Sequence, residues 1–261
     1  MYWVIQDKLR EDAGLRTLRA SLPRWGIPHS FHEVIPFVGE LRPDVNAVGK
    51  VIVIGSYSMR HAARAKGWVP GCFDIGHLTH EDFVQHWGVN MLNASGFVEK
   101  FPDVPKHPLP EEFFCRPAID SKAWAGAKMM RADFLLWHEK VMAIIDEPGV
   151  TITRDTEVVV APIRSIAQEY RCWIVDRQVV TTSLYKRDEQ VLHDTHIDDD
   201  VLGFARSMAK EPWQPDRAYV LDVSLDVEGQ TRVIEVNTLN AAGFYAADIQ
   251  KLVEALEEME F

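Results

Sequence analysis

The stretch AYVLDVSLDVEGQTRVIEVN, residues 218–237, predicts two antiparallel β-strands joined by a tight turn. Apolar and polar residues alternate along both halves, and Glu228-Gly229 between them is typical of a two-residue hairpin turn. Counting back from that turn places Asp222 opposite Glu235. The stretch therefore predicts a β-hairpin that brings two carboxylates together across neighbouring strands.

The polar face of this hairpin carries a set of oxygen donors. Because side chains alternate along a strand, Asp222 and Glu235 share their face with Asn237, while the opposite face is apolar. Two opposed carboxylates repel each other, and a hard cation between them would turn the repulsion into attraction. Mg²⁺ takes few protein oxygens alongside phosphate oxygens. The hairpin is therefore either a Mg²⁺ site or the solvated face of an amphipathic sheet.

A second hairpin is predicted upstream. Residues 169–175 and 178–186 have strand character, and residues 176–177 are placed to form a two-residue turn. That turn pairs Arg171 with Thr182 and places Glu169 opposite Leu184.

One face of the second hairpin would collect opposite charges. Glu169, Arg171 and Lys186 share it by alternation. A guanidinium can hold phosphate oxygens in a bidentate manner, and an ammonium adds a point charge. An exposed cross-strand ion pair explains the same residues without any ligand.

Composition limits the classes of protein. The 261 residues include 47% hydrophobic residues, enough for one large domain or two modest ones. With 28 basic and 39 acidic residues the net charge is −11, which disfavours extended nucleic acid as a partner. Three widely spaced cysteines, no signal peptide and no membrane-spanning apolar run predict a soluble, cytoplasmic protein.

The order of predicted elements changes along the chain. The first third alternates strands and helices, the rhythm of a parallel α/β layer, and the later part reads as antiparallel hairpins, so the fold class is α/β with an α+β C-terminal part. Five prolines lie between residues 101 and 117 and mark a boundary. The sequence therefore predicts an N-terminal α/β domain over residues 1–110 and a second region over 111–261.

Other candidates for function are weaker. Arg116 ends a short strand, and residues 120–126 after it predict a loop that either closes over polyphosphate or is simply solvated. His193 and His196, before the acidic run 198–200, favour a polar loop or helix cap over a metal site, because no third histidine or cysteine completes a ligand set.

From residue 113 to about 257, the order of motifs resembles that of a known superfamily. The matching motifs are Phe114-Cys115-Arg116-Pro117, Asp120-Ser121-Lys122, the strand 158–163, Glu169-Tyr170-Arg171, Tyr185-Lys186, Asp222 and Glu235-Val236-Asn237. In this order they resemble the ATP-grasp superfamily, and most of all its small, often phage-encoded branch in which arginine replaces a nucleotide-binding lysine. The N-terminal part matches only as the α/β domain that precedes the ATP-grasp module.

The resemblance implies a role for each residue of the two hairpins. Asp222, Glu235 and Asn237 would hold Mg²⁺, or Mn²⁺ in its place, against the phosphates of ATP. Arg171 would reach the γ phosphate with Lys186 beside it, and both would serve catalysis.

The resemblance also implies a set of nucleotide contacts. Arg116 and Lys122 would contact the α and β phosphates. Ala161 would accept a hydrogen bond from the adenine amino group through its carbonyl, and the amide of Ile163 would donate to the ring. Glu169 would bind the ribose hydroxyls.

The activity implied is that of an ATP- and Mg²⁺-dependent carboxylate–amine ligase acting through an acyl phosphate. Its substrates would be a carboxylate and an amine, either small molecules or peptides. A phosphotransferase with the same ATP-binding residues and a non-catalytic nucleotide-binding protein are the alternatives. The sequence identifies neither the substrates nor the oligomeric state.

Overall fold

The computed structural model describes residues 1–9, 13–36, 38–119 and 124–261. They form two compact units. Unit 1 combines residues 1–75 with 166–261, and unit 2 consists of residues 76–165.

The first sheet of unit 1 is the predicted parallel layer. Its elements are β1 (Tyr2–Gln6), α1 (Ala13–Ser21), β2 (His29–Val34), β3 (Leu41–Arg42), β4 (Lys50–Ile54), α2 (Met59–Lys66) and β5 (Val69–Gly71). The strand order is β3-β2-β1-β4-β5, with β1 parallel to β2 and β4, β4 parallel to β5, and β3 antiparallel to β2.

This sheet is buried on both faces because its central strands are continuous apolar runs. Val51 and Val53 of β4 pack with Met59 of α2, whereas Ile52 and Ile54 pack on the other side. The α/β assignment of the N-terminal part is therefore confirmed.

The second sheet of unit 1 is antiparallel, as predicted for the C-terminal part. Its elements are β10 (Ile166–Val175), β11 (Gln178–Arg187), β12 (Gln190–Asp194), α5 (Asp199–Met208), β13 (Ala218–Asp226), β14 (Thr231–Thr238), a 3₁₀ helix (Leu239–Ala241) and α6 (Ile249–Glu257). The strand order is β12-β11-β10-β13-β14.

The C-terminal helix α6 buries the residues that its sequence predicts. Ile249, Leu252, Val253 and Leu256 all lie in the core, because their spacing places them on one helical face. Asp248 caps the helix by accepting from the Lys251 amide at 3.2 Å.

Unit 2 contains a four-stranded sheet. Its elements are α3 (His80–Trp87), two 3₁₀ helices (Gly88–Asn90 and Phe101–Lys106), β6 (Phe97–Lys100), β7 (Glu112–Pro117), β8 (Ala127–Met130), α4 (Arg131–Ile144) and β9 (Glu157–Ala161). The strand order is β6-β9-β7-β8. Thr79 begins α3 with the predicted cap, in a capping box with Asp82.

The proline-rich segment is part of unit 2. Phe101 and Val104 of its 3₁₀ helix are fully buried, together with Phe113 on β7. Because apolar residues on both sides of residue 110 share this core, the predicted boundary at that residue falls inside a compact unit.

In the described ranges, no helix is long and apolar enough to cross a membrane.

Candidate functional site

Asp222, Glu235 and Asn237 lie together at the centre of the second sheet of unit 1. Asp222 is directly opposite Glu235, as predicted. The Asn237 amide donates to Asp222 Oδ2 at 3.2 Å and to Glu235 Oε1 at 2.9 Å. The hairpin therefore brings both carboxylates and the amide to one place.

The turn of this hairpin differs from the prediction. The Asp226 amide donates to the Gln230 carbonyl at 3.0 Å, so the loop has three residues that end with Gly229 at φ +81°. A bulge between Asp222 and Val223 then shifts the register by one residue. The two differences cancel, which is why Asp222 still faces Glu235.

Asp222 is paired with Arg171 on the neighbouring strand β10. Arg171 Nε donates to Oδ1 at 2.8 Å and Nη2 donates to Oδ2 at 2.7 Å, while Nη1 donates to the Gly243 carbonyl at 3.3 Å. Their side chains are only 9% and 1% exposed. This bidentate, buried pair has the fork geometry that favours arginine over lysine.

Burial sets the protonation of the pair. Burial, together with the neighbouring Glu235 and only partly offset by Arg171, raises the pKa of Asp222 to about 6. Burial alone would lower the pKa of Arg171, but the charge and hydrogen bonds of Asp222 raise it above its ordinary value. Arg171 therefore stays charged at neutral pH.

The second hairpin has the predicted two-residue turn but a different register. Asp176 and Arg177 both have positive φ, as such a turn requires. Bulges in the pairing of β10 with β11 then place Arg171 opposite Ser183, where Thr182 was predicted. Bulges follow from packing across the sheet and have no clear local signal.

Glu169 lies opposite Lys186, where Leu184 was predicted. Lys186 Nζ donates to Glu169 Oε1 at 2.8 Å, and the Tyr185 hydroxyl donates to Oε2 at 2.7 Å. Burial and the nearby charges of Asp222 and Glu169 raise the pKa of Tyr185, so its hydroxyl remains a donor. The predicted convergence of Glu169 and Lys186 is therefore a direct contact.

Aromatic rings surround Arg171, and the sequence analysis did not single out this feature. The Arg171 guanidinium carbon lies 4.7 Å from the ring centre of Tyr245 and 5.5 Å from that of Tyr185. Tyr245 stacks on Tyr185 at 5.4 Å and on His193 at 4.6 Å. No periodic pattern marks Tyr245, because it lies in an irregular loop after β14.

The donor set fits a cation that is held mainly by its substrate. In the part of the chain that the structure describes, no group of three His, Cys, Asp or Glu side chains is placed to hold a metal ion. Two carboxylates and one amide nevertheless converge at Asp222, Glu235 and Asn237. Mg²⁺ bound through one or two carboxylates plus phosphate oxygens needs no more than this.

Unit 2 holds the other predicted nucleotide-binding residues. Arg116 on β7 is half-buried, and its Nη2 donates to His80 Nδ1 at 3.3 Å. Burial and the charge of Arg116 lower the pKa of His80 from 6.5 to about 4, so the ring is a neutral acceptor. Ala161 ends β9, and Ile163 follows it in an irregular segment. Lys122 lies outside the described residues.

The residues around His193 and His196 form the predicted cap. Asp198 is the N-cap of α5 and accepts from the Asp200 amide at 2.9 Å. This acidic run therefore stabilises a helix terminus.

Known structures share this architecture over nearly the whole chain. The crystal structure of D-cycloserine synthetase DcsG has a TM-score of 0.62 at 12% identity, covering 99% of both chains. A RimK domain ATP-grasp protein from Sphaerobacter thermophilus DSM 20745 has a TM-score of 0.60 at 12% identity, covering 93% of this chain and 92% of that one. D-alanine–D-alanine ligase from Bacillus anthracis, in complex with ATP, has a TM-score of 0.57 at 14% identity, covering 98% and 91%.

The sequence comparisons point the same way as the fold. No curated protein matches the chain. A family model for the ATP-grasp domain, the third family of its clade, matches residues 65–256, which is well over half of the sequence. The chain therefore belongs to this family of ATP-grasp proteins.

Proposed function

We propose that this protein is an ATP- and Mg²⁺-dependent ligase that joins a carboxylate to an amine through an acyl phosphate. The observation that carries the proposal is the convergence of Asp222, Glu235 and Asn237 beside the buried Arg171. The similar structures include proteins named as a D-cycloserine synthetase and a D-alanine–D-alanine ligase, which supports amino-acid-like or peptide substrates.

The three converging side chains supply the metal ligands in this proposal. Glu235 and Asn237 are half-buried, so solvent reaches this edge of the carboxylate pair, whereas Asp222 lies behind them. Each oxygen of Asp222 accepts one hydrogen bond from Arg171 and keeps further lone-pair capacity. Bound Mg²⁺, or Mn²⁺, would neutralise charge on the phosphates of ATP.

Arg171 and Lys186 supply positive charge for phosphoryl transfer. Arginine has five N–H donors, and Arg171 uses three of them on Asp222 and Gly243, which leaves two. Those two donors would contact the γ phosphate, and Lys186 would add its charge nearby. Fixed cations of this kind stabilise the charge of the transferring group.

The reaction balances without a covalent protein nucleophile. An oxygen of the substrate carboxylate attacks the γ phosphorus, and the bond to the β-γ bridging oxygen breaks to give an acyl phosphate and ADP. The amine then attacks the acyl carbon, the C–O bond to phosphate breaks, and the amine proton leaves to solvent. The products are an amide, ADP and inorganic phosphate.

The remaining nucleotide contacts are proposed residue by residue. Arg116 and Lys122 would bind the α and β phosphates, and the backbone of Ala161 and Ile163 would bind adenine. Glu169 would accept from the ribose hydroxyls in addition to Lys186 and Tyr185. We also assign the chain to the phage-type branch, with arginine in place of a nucleotide-binding lysine, and to the cytoplasm.

The test measures ADP and phosphate release with carboxylic acids and amines supplied singly and together. A ligase releases both products only when an acid and an amine are present. A phosphorylated alcohol would identify a phosphotransferase, and nucleotide binding without turnover would identify a binding protein. Glu235→Gln should abolish release, and the matched variant Glu228→Gln, in the loop of the same hairpin, should not.

A further inference from the structure

Arg171 is fixed by contacts on its edge and on its face. Asp222 accepts two hydrogen bonds from one edge of the guanidinium, and the Gly243 carbonyl accepts a third. The ring of Tyr245 lies over the guanidinium, 4.7 Å from its carbon to the ring centre. Hydrogen bonds fix the edge of the group, but only a ring against its face resists tilting out of the plane of the carboxylate.

The loop that carries Tyr245 is fastened to the strand β11. The Ala246 amide donates to Ser183 Oγ at 3.2 Å, and the Asp248 amide donates to Thr181 Oγ1 at 2.7 Å. Ser183 and Thr181 alternate along β11, so both hydroxyls face the same side. The loop therefore reaches Arg171 from a fixed position.

Tyr245 has a backbone conformation that is unfavourable for its residue type. Its φ is +49°, in the left-handed region that bulky residues rarely adopt. Such a residue persists only where its surroundings impose it. Here the ring also stacks on Tyr185 and His193, which places it against Arg171 at the expense of the backbone.

We propose that Tyr245 is a positioning residue for Arg171 in the ligase reaction, an inference that rests on the proposed function. The ring holds the guanidinium in one orientation, so the two donors that remain free of Asp222 and Gly243 meet the transferring phosphate without reorganisation. Preorganised charge of this kind lowers the barrier to the chemical step and does not tighten ground-state binding.

The decisive variant is Tyr245→Gly. It removes the ring and also relieves the left-handed backbone, so the fold should not be weakened by the change of conformation. Tyr245→Phe keeps the ring and should restore activity. Asp188→Gly is the matched control, because Asp188 has a similar φ of +51° in the turn after β11 and carries no aromatic ring.

We expect kcat of Tyr245→Gly to fall roughly ten- to a hundredfold, as for a misplaced catalytic group. KM for ATP and the free energy of unfolding should stay near the wild-type values, and Tyr245→Phe and Asp188→Gly should resemble the wild type. In an Arg171→Lys background, Tyr245→Gly should have little further effect, because both changes act through one group. Unchanged kcat, or losses that add fully in the double variant, would overturn the proposal.

A second readout separates this inference from the proposed function. If the wild type binds Mg²⁺ and a nonhydrolysable ATP analogue but turns over no acid and amine, the ligase reaction is wrong. The positioning of Arg171 is then judged by NMR, from solvent exchange of its Nε proton, assigned with Arg171→Lys. Faster exchange in Tyr245→Gly than in the wild type supports the positioning role, and equal exchange overturns it.

Discussion

Arg171 and Asp222 form a bidentate pair on adjacent strands, with Nε to Oδ1 at 2.8 Å and Nη2 to Oδ2 at 2.7 Å. Both side chains are almost completely removed from solvent. Taking two charges out of water costs several kcal/mol for each ion, so a pair like this contributes little net stability while its loss from one side costs much. The pair therefore orients a carboxylate more than it stabilises the fold.

Removing one partner should reveal that asymmetry. Arg171→Ala leaves Asp222 buried without its counter-charge, so we expect the free energy of unfolding to fall by roughly 3 to 5 kcal/mol. Replacing both residues with leucine should recover much of the loss. Urea denaturation measures both changes, and Arg154→Ala, which breaks an exposed pair with Asp146, should cause no measurable change. An equal effect at both sites would contradict the special cost of burial.

Asn240 should be the second stability-critical polar residue. It is 3% exposed, and its amide donates to the Val53 carbonyl at 2.6 Å while its oxygen accepts from the Phe73 amide at 2.8 Å. Asn240→Leu leaves both backbone groups unpaired, so we expect a loss of roughly 2 to 4 kcal/mol in unfolding free energy. The exposed Asn46→Leu is the matched control in thermal or urea denaturation. Equal stability of the two variants would show that these hydrogen bonds are replaceable.

The sequence predicts the elements whose pattern is local. The hairpin of Asp222 and Glu235 follows from alternation alone, and α6 follows from its helical spacing. The helix α4, residues 131–144, was not predicted, because its exposed face includes Leu135, Leu136 and Ile144 and so lacks a single apolar stripe.

Features that depend on distant contacts could not be predicted. The bulges that move Arg171 from Thr182 to Ser183 arise from packing across the sheet. The left-handed φ of Tyr245 likewise has no sequence signature, because the residue type itself disfavours it. The pairing of Arg171 with Asp222 joins strands 51 residues apart and was predicted only as a shared polar region.

Stability should depend on pH through His80. Its pKa falls from 6.5 to about 4 on folding, so between these values the unfolded chain binds a proton that the folded chain does not. The free energy of unfolding should therefore drop as pH falls through this window, by at most about 3 kcal/mol. His80→Gln keeps an acceptor for Arg116 and should lack this component in denaturation curves between pH 7 and 4. The exposed His86→Gln on the same helix should retain it, and identical pH profiles for the wild type and His80→Gln would contradict the assignment.

Metal binding should depend on both carboxylates and on pH. In the presence of Mn²⁺ and a nonhydrolysable ATP analogue, Glu235→Gln should weaken metal binding by roughly tenfold or more, and Asn237→Ala should weaken it as well. Because the pKa of Asp222 is about 6, protons compete with the metal below that pH, and affinity should fall as the solution is acidified. Calorimetric titration or electron paramagnetic resonance of Mn²⁺ measures both effects. Glu228→Gln removes the same charge from the loop of the hairpin and should bind like the wild type, so a similar loss in that variant would mean that general charge, and not these ligands, attracts the ion.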